Sequence, residues 1–282
     1  MTAAGTTLVI GATGTTGSRT TARLVAAGHR VRAASRRGTP LPGAEPVRFD
    51  WFEPATFDGA LAGADRVYVV PPVGEPDPAP VVLPFLRRAR AAGVRRAVLL
   101  SSSAVPEGGP AVGVVHRALP GLFDEWAVLR PSWFMQNFTG RHPHARSIRE
   151  DGVILTATGG GRIGFVDADD IAAVAVHALT DDRVPDGDLV LTGPETLDHD
   201  EVAAVVTEVT GRPVVHRRLS HDELRDRLAA WVPVEFAALL AGMDRAIEGG
   251  AEDRTTDTVR RLTGRPPRSF RLVVEREWGR AR

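Results

Sequence analysis

Through the first half of the chain, short apolar runs rich in β-branched residues alternate with segments whose apolar positions recur at helical spacing. That is the pattern of an α/β protein, a doubly wound parallel sheet covered by helices on both faces. The runs Thr7–Ile10, Arg30–Ala34, Pro46–Phe49, Arg66–Val70, Arg96–Ser101 and Trp126–Arg130 read as strands. Helices fit Ser18–Ala27, ended by Gly28, then Pro54–Leu61, and Ala79–Ala92, which closes on Gly93. In such a sheet, ligands sit outside the carboxyl ends of the strands, so chemistry is expected just after Ile10, Ala34, Phe49, Val70, Leu100 and Arg130.

The stretch from Gly108 to Leu122 is rich in Gly and Pro and reads as irregular, either a loop over the site or a surface excursion. Beyond it, Trp133–Ile148 reads as mostly helical, Gly152–Ala157 as extended, Ile163–Val166 as strand-like and Asp169–Leu179 as helical. A strand at Leu189–Thr192 precedes a helix Glu201–Thr210, with Asp198 and Glu201 spaced as a capping box. Val214–Leu219 and Asp222–Ala230 repeat strand then helix, and Pro233–Glu248 reads as a further helix. No tandem repeat or long linker separates these pieces, so the C-terminal third is expected as a lobe on one core.

The first strand end carries the sharpest motif. Leu8-Val9-Ile10 runs into Gly11-Ala12-Thr13-Gly14-Thr15-Thr16-Gly17, with glycines at every third position between a strand and a helix. Gly11 lets the chain turn off the strand, Gly14 lets backbone approach a pyrophosphate, and Gly17 lets the helix press on the sheet. The helix N-terminus then offers free N–H groups to negative charge. A nicotinamide dinucleotide is the ligand this frame predicts.

Composition narrows the chemistry. The chain has 282 residues and no cysteine, which excludes a disulfide framework, thiolate catalysis and a Cys-rich zinc site. Its 35 basic residues balance 35 acidic ones, and no basic run is interleaved with aromatics, so nucleic acid is not an expected partner. No apolar stretch approaches a membrane span, and the opening Met1 to Gly5 lacks the marks of a leader peptide. A cytoplasmic protein is expected, with its oligomeric state left open. All of the basic residues are arginine, so lysine takes no part in the mechanism, and the single tyrosine, Tyr68, falls inside an apparent buried strand.

NAD-selective sites place an acid about 20 residues past the glycines to bond the ribose 2′-hydroxyl. Here that region reads Arg32-Ala33-Ala34-Ser35-Arg36-Arg37-Gly38, with no acid. Ser35 can donate to a 2′-phosphate and an arginine fork can grip it, so NADP(H) is favoured over NAD. Asp50 would suit the adenine amino group or, with Glu53 following, cap a helix.

In that order, the motifs resemble the NmrA-like atypical short-chain dehydrogenase/reductases. The residues that carry the likeness are the glycine motif, Val47-Arg48-Phe49-Asp50-Trp51, Val70-Pro71-Pro72, Leu100-Ser101-Ser102-Ser103-Ala104 and Leu129-Arg130-Pro131-Ser132-Trp133-Phe134-Met135-Gln136-Asn137-Phe138. Phe165-Val166-Asp167-Ala168-Asp169-Asp170 and Thr263-Gly264-Arg265-Pro266-Pro267 extend it nearly to the end. Within the family, the Leu-Arg-Pro-Ser-Trp stretch is most similar to the branch of festuclavine/agroclavine-type reductases and type-2 quinone reductases.

The resemblance implies a Rossmann-like NADP-binding domain over residues 1–150, with strand and helix contributions from 151–185, and a smaller α/β substrate lobe over 186–282 that closes a cleft. Carried onto this chain, Gly11, Thr13, Gly14, Thr15, Thr16 and Gly17 hold the pyrophosphate, and Ser35, Arg36 and Arg37 the 2′-phosphate. Asp50 and Trp51 take the adenine side, while Pro71, Pro72 and Ser101 border the nicotinamide and its ribose. The family also contains regulators that sense the cofactor without turning it over, and a non-redox enzyme on the same scaffold is a further alternative.

Ordinary members of the wider superfamily use a Tyr-x-x-x-Lys pair to protonate a carbonyl oxygen; this chain has no lysine to form one. Substrates that carry their own electron sink escape that need, which leaves an iminium, quinone or conjugated enone as the acceptor. His116 is the leading candidate for an assisting acid, as it titrates near neutrality, and Ser102 is the second. Ser103, Trp133, Phe134 and Asn137 are the expected substrate residues, Trp133 and Asn137 as a pair on one helical face holding a flat or polycyclic ligand. His142 and His144 flank Pro143 without spaced carboxylates, so they are read as surface residues and no metal is expected.

Overall fold

The computed structural model describes residues 5–279. The first four residues, read above for a leader segment, lie outside them. The chain divides into two compact units, one built from the segment ending at Pro131 together with Ala168–Val190, the other from Ser132–Asp167 and the segment starting at Leu191.

The first unit begins β1 (Thr6–Ile10), α1 (Thr15–Ala26), β2 (Arg30–Ser35), β3 (Glu45–Arg48), α2 (Phe57–Leu61), β4 (Arg66–Val69), α3 (Ala79–Ala91), β5 (Arg96–Leu100), α4 (Val112–Ala118) and β6 (Glu125–Pro131). The chain then leaves through α5 (Gln136–Thr139), α6 (Pro143–Asp151) and β7 (Val153–Thr156), and returns for α7 (Ala168–Thr180) and β8 (Gly187–Leu191). The second unit is completed by α8 (His199–Thr210), β9 (Val215–Arg218), α9 (His221–Ala229), α10 (Val234–Glu248), α11 (Thr258–Thr263) and α12 (Phe270–Trp278).

The sheet of the first unit has the order β3-β2-β1-β4-β5-β6-β8, a Rossmann-like doubly wound arrangement. Parallel register places Val9 beside Ala33 on one side and Tyr68 on the other, with Tyr68 in turn beside Val98. Strand order reverses between β1 and β4, so the crevice at their carboxyl ends is the switch point where a nucleotide belongs. Leu8, Ile10, Val67, Val69, Phe85, Leu86 and Leu99 pack into one buried apolar core. Helix α7 packs against α1. Arg96, 5% exposed, donates to the carbonyl oxygens of Leu179 (3.0 Å) and Asp181, terminating α7 with the positive charge its C-terminus favours.

Tyr68 is fully buried, and its hydroxyl has no hydrogen-bond partner. Burial pushes the phenol well above its ordinary range, so it has no acid–base role at neutral pH.

The second unit has its own core, in which Phe138, Phe165 and Phe270 meet with Ile154, Val206, Ile247 and Val273. Strands β7 and β9 form a two-stranded parallel sheet. Helices α8 and α9 start on capping boxes: Asp198 accepts from the Glu201 N–H at 2.8 Å, and Ser220 from the Glu223 N–H at 3.2 Å.

Several expectations change here. The segment read as irregular between Gly108 and Leu122 contains α4 and a 3-10 turn over Leu119–Gly121. The helix read over Trp133–Ile148 is broken, because Gly140 ends α5 and Pro143 starts α6; a Cβ at Gly140 would meet the Gln136 carbonyl oxygen at 2.8 Å. Ile163–Val166 makes only isolated bridges, Phe134 with Val166 and Ile163 with Leu197. The opening segment of the first unit ends at Pro131, and α11 and α12 occupy a C-terminal stretch for which no element was expected. Among the described residues, no helix is long and apolar enough to cross a membrane.

Candidate cofactor and active site

The turn after β1 is locked by backbone. Gly11 has φ +68, which only glycine adopts without strain, and its missing side chain leaves room for Val70, whose Cβ would stand 3.3 Å from an added one. Gly14 N–H donates to Gly11 O at 2.8 Å, and Ala12 N–H to Ala34 O at 3.0 Å. A Cβ at Gly17 would lie 2.1 Å from Gly11 O, so α1 could not approach the strand with any other residue there.

Gly14 caps α1 without a side chain, and the first turn carries no acid. The N–H groups of Thr15, Thr16 and Gly17 have no partner within the helix and point out of its positive end. Thr13, Gly14 and Thr15 are exposed, while Thr16 and Gly17 are buried beneath them. These residues fit a dinucleotide pyrophosphate: an uncapped helix terminus, close backbone access and no competing carboxylate.

At the end of β2, Ser35 is nearly buried, and its Oγ accepts from the Thr39 N–H at 2.9 Å, which leaves its own hydrogen to donate. Arg36 and Arg37 are exposed on the turn that follows, and neither forms an ion pair among the described residues. Asp50 uses one carboxylate oxygen to accept from the Phe52 N–H at 3.0 Å, while Glu53 precedes the 3-10 turn Pro54–Thr56. The helix cap considered for Asp50 is therefore a local turn.

Trp51, expected on the adenine side, is 8% exposed and packs edge-on to Phe49 and Phe85. Its ring is part of the core, and its indole N–H donates to Val70 O at 3.1 Å. Pro71 and Pro72 follow directly, half-buried and free of N–H donors.

At the end of β5, the Ser101 N–H donates to Leu129 O at 2.7 Å and the Ser103 N–H to Pro131 O at 3.0 Å. The Ser102 Oγ accepts from the Ala104 N–H at 3.3 Å. Sequence reasoning missed Arg130, whose guanidinium donates to Ser102 O at 3.3 Å and Ser103 O at 3.0 Å and pairs with Asp188. His116 is not in a loop but inside α4, 2% exposed, with Nδ1 unpartnered. Burial lowers its pKa, against the pull of Asp188 and Glu107 and with help from Arg130, so the imidazole is neutral at pH 7.

In the second unit, Trp133 and Phe134 lie in the turn before α5, both half-buried. Trp133 O accepts from the Val166 N–H at 2.9 Å, and Phe134 O from the Asn137 N–H at 3.0 Å. Because α5 begins only at Gln136, Trp133 and Asn137 do not share a helical face as expected. His142 is exposed, as read, and caps α6 by accepting from the His144 N–H at 3.2 Å. His144 corrects that reading in part, since its ring stacks on Phe138 at 5.5 Å. Among the described residues, no group of three or more His, Asp or Glu could hold a metal ion.

Deeper in that unit, a hydrogen-bonded row joins His216, Thr156, Thr158 and His199 through contacts of 2.8, 2.9 and 2.9 Å. Burial holds His199 down to about 3 and His144 well below its ordinary value, and lowers His216 despite Asp200 beside it. All three imidazoles are neutral at pH 7. The packed, hydrogen-bonded row reads as structure.

The chain is similar in sequence and fold to NAD(P)H-binding oxidoreductases. A family model described as NAD(P)H-binding matches residues 11–123. The uncharacterized oxidoreductase YesF of Bacillus subtilis is 48% identical over 264 residues, 93% of this chain and 92% of its own. Festuclavine synthase II of Penicillium roqueforti is 37% identical over 284 residues, covering 96% and 98%. In fold, the NADPH-dependent quinone oxidoreductase of Escherichia coli, crystallised with NADPH, superposes with a TM-score of 0.80 at 22% identity, covering 96% of this chain and 99% of that one.

Proposed function

The chain belongs to the NmrA-like NAD(P)H-binding oxidoreductases, in the branch of the festuclavine and agroclavine enzymes, and from that premise we propose that it uses NADPH to reduce an activated small organic acceptor in secondary metabolism. That it is an NAD(P)H-dependent reductase follows from the family; the phosphorylated cofactor and the acceptor class are our reading. The carrying observation is the end of β2, where Ser35, Arg36 and Arg37 present a donor and two exposed guanidinium groups with no carboxylate among them. An anionic 2′-phosphate is favoured there by charge-assisted, bidentate bonding.

NADPH supplies the hydride when bound. The chain's own part is to hold and orient: the α1 N-terminus takes the pyrophosphate, Asp50 the adenine amino group, and Pro71, Pro72 and Ser101 the nicotinamide side. Trp51 acts at one remove, by fixing Val70. Ser102 and Ser103 are assigned to the acceptor's polar atoms, and Trp133, Phe134 and Asn137 to an aromatic or polycyclic body. His116, neutral at pH 7, would serve as a hydrogen-bond donor and not as a cationic acid. With no Tyr-Lys pair, the acceptor must stabilise its own incoming charge, as an iminium, a quinone or a conjugated enone does.

The test is NADPH consumption against a panel of those acceptors beside simple ketones, repeated with NADH. Turnover of activated acceptors with NADPH preferred supports the reading. Tight binding of NADPH with no turnover of any acceptor would overturn it in favour of a cofactor-sensing regulator.

A further inference from the structure

We propose that Arg130 is the positioning residue of the Ser101–Ser103 strand end, and that it acts by fixing the Ser102 hydroxyl as a hydrogen-bond donor toward the acceptor. The proposal rests on the reading that this strand end borders the reacting groups.

Past Leu100, the last residue of β5, the chain still follows β6 through the Ser101 and Ser103 N–H groups. Both the Ser102 and Ser103 carbonyl oxygens accept from Arg130, and Ser102 O also accepts from the Val105 N–H at 3.1 Å, which closes the turn after β5. The Arg130 Nε donates to Ser102 O at 3.3 Å and its Nη2 to Ser103 O at 3.0 Å, while Nη1 pairs with Asp188 on β8. One planar group thus uses three N–H directions, a geometry that a guanidinium supplies and an ammonium does not. The side chain is only 16% exposed, so water does not readily replace it.

The consequence for Ser102 follows from donor counting. A hydroxyl has one hydrogen and two lone pairs. Ser102 Oγ accepts from the Ala104 N–H at 3.3 Å, and among the described residues no acceptor takes its own hydrogen. With the carbonyl anchored to Arg130 on one side and Oγ to Ala104 on the other, that hydrogen is left to donate. In a quinone or enone the oxygen gathers negative charge as hydride arrives, and a preset donor is worth most at that moment.

The experiment combines Arg130→Gln, Ser102→Ala and the double variant, with NADPH affinity read by fluorescence titration and amide hydrogen exchange read over residues 101–105. Arg130→Gln is expected to lower kcat about ten- to hundredfold, the scale of a small misplacement. NADPH affinity and acceptor KM should stay within about twofold, and exchange over residues 101–105 should rise about tenfold or more, as a released anchor requires. Ser102→Ala should slow turnover to a similar degree, and the double variant should be no slower than the worse single one. Should Arg130→Gln fail to fold, Arg130→Lys keeps the charge, loses the fork and carries the same test. Normal turnover in the Arg130 variant, unchanged exchange, or multiplicative losses in the double variant would overturn the proposal while leaving the proposed function intact if Ser102→Ala is slow. Full activity of Ser102→Ala would remove the premise and the proposal together.

Discussion

The Trp51 indole N–H donates to the carbonyl oxygen of Val70 at 3.1 Å, and the side chain of Val70 fills the space that Gly11 leaves open. Val70 is therefore held from both directions, by an aromatic residue after β3 and by the first glycine after β1. This contact sets where Pro71 and Pro72 begin. Trp51→Phe keeps most of the apolar packing with Phe49, Phe57 and Phe85 but removes the donor. The loss is expected to be about 1–2 kcal/mol in urea unfolding, with a severalfold weaker NADPH affinity.

A methyl group at Gly17 has nowhere to go. It would stand 2.1 Å from the carbonyl oxygen and 2.7 Å from the carbonyl carbon of Gly11, so α1 must move off the strand. At the usual cost of overpacking, about 1–3 kcal/mol, Gly17→Ala should raise the NADPH dissociation constant at least about tenfold. Gly28→Ala is the control. Nothing lies within 4 Å of that position, but φ is +81, so it should lose about 1 kcal/mol of stability and bind cofactor normally.

Cofactor choice should follow the arginines after β2. Replacing Arg36 and Arg37 together by Ala is expected to lower kcat/KM for NADPH about ten- to hundredfold and leave NADH within about twofold. Because both side chains are exposed, the wild-type preference for NADPH should shrink as salt is raised. Equal loss for both cofactors would show that these arginines act on the fold and not on the phosphate.

Acid should weaken the second unit through its buried histidines. In the unfolded chain an imidazole takes a proton near pH 6.5, whereas burial holds His199 down to about 3 in the folded one. Below pH 6.5 the unfolded state thus binds more protons, so stability is full above that value and is lost as pH falls toward 3. The slope is up to about 1.4 kcal/mol per pH unit for each such group, and His144 and His216 shift in the same direction. Urea midpoints at pH 7, 5 and 4 measure it. His199→Asn retains an amide for the Thr158 hydroxyl and should flatten the dependence.

What the sequence disclosed and what it hid divide along physical lines. The sheet was legible because buried parallel strands leave nearly continuous apolar runs, and the glycine turn because backbone geometry demands glycine wherever the chain touches itself. Asp198 and Glu201 were legible as a cap because both partners lie within one turn of chain.

Other features depend on contacts between distant residues. Nothing near Trp51 announces that Phe49 and Phe85 will enclose it. The fork of Arg130 becomes visible only when β5 and β6 are laid side by side, although an arginine closing an apolar strand was an available signal. The Gly/Pro content around His116 concealed α4, which starts after Ala111 at φ 54. Helices α11 and α12 are short and arginine-rich, too brief for their periodicity to stand out.

The path of the chain has a consequence for its biosynthesis. The nucleotide-binding unit gains α7 and β8 only from Ala168–Val190, after the excursion Ser132–Asp167 has been made. Until Val190 leaves the ribosome, the face of α1 that will receive α7 and the free edge of β6 stay uncovered, along with the buried arginine that awaits the end of α7. The glycine turn is translated long before Ala168–Val190, so the surface around it closes only once that later segment has been made. That interval is when a nascent chain of this design most needs a chaperone.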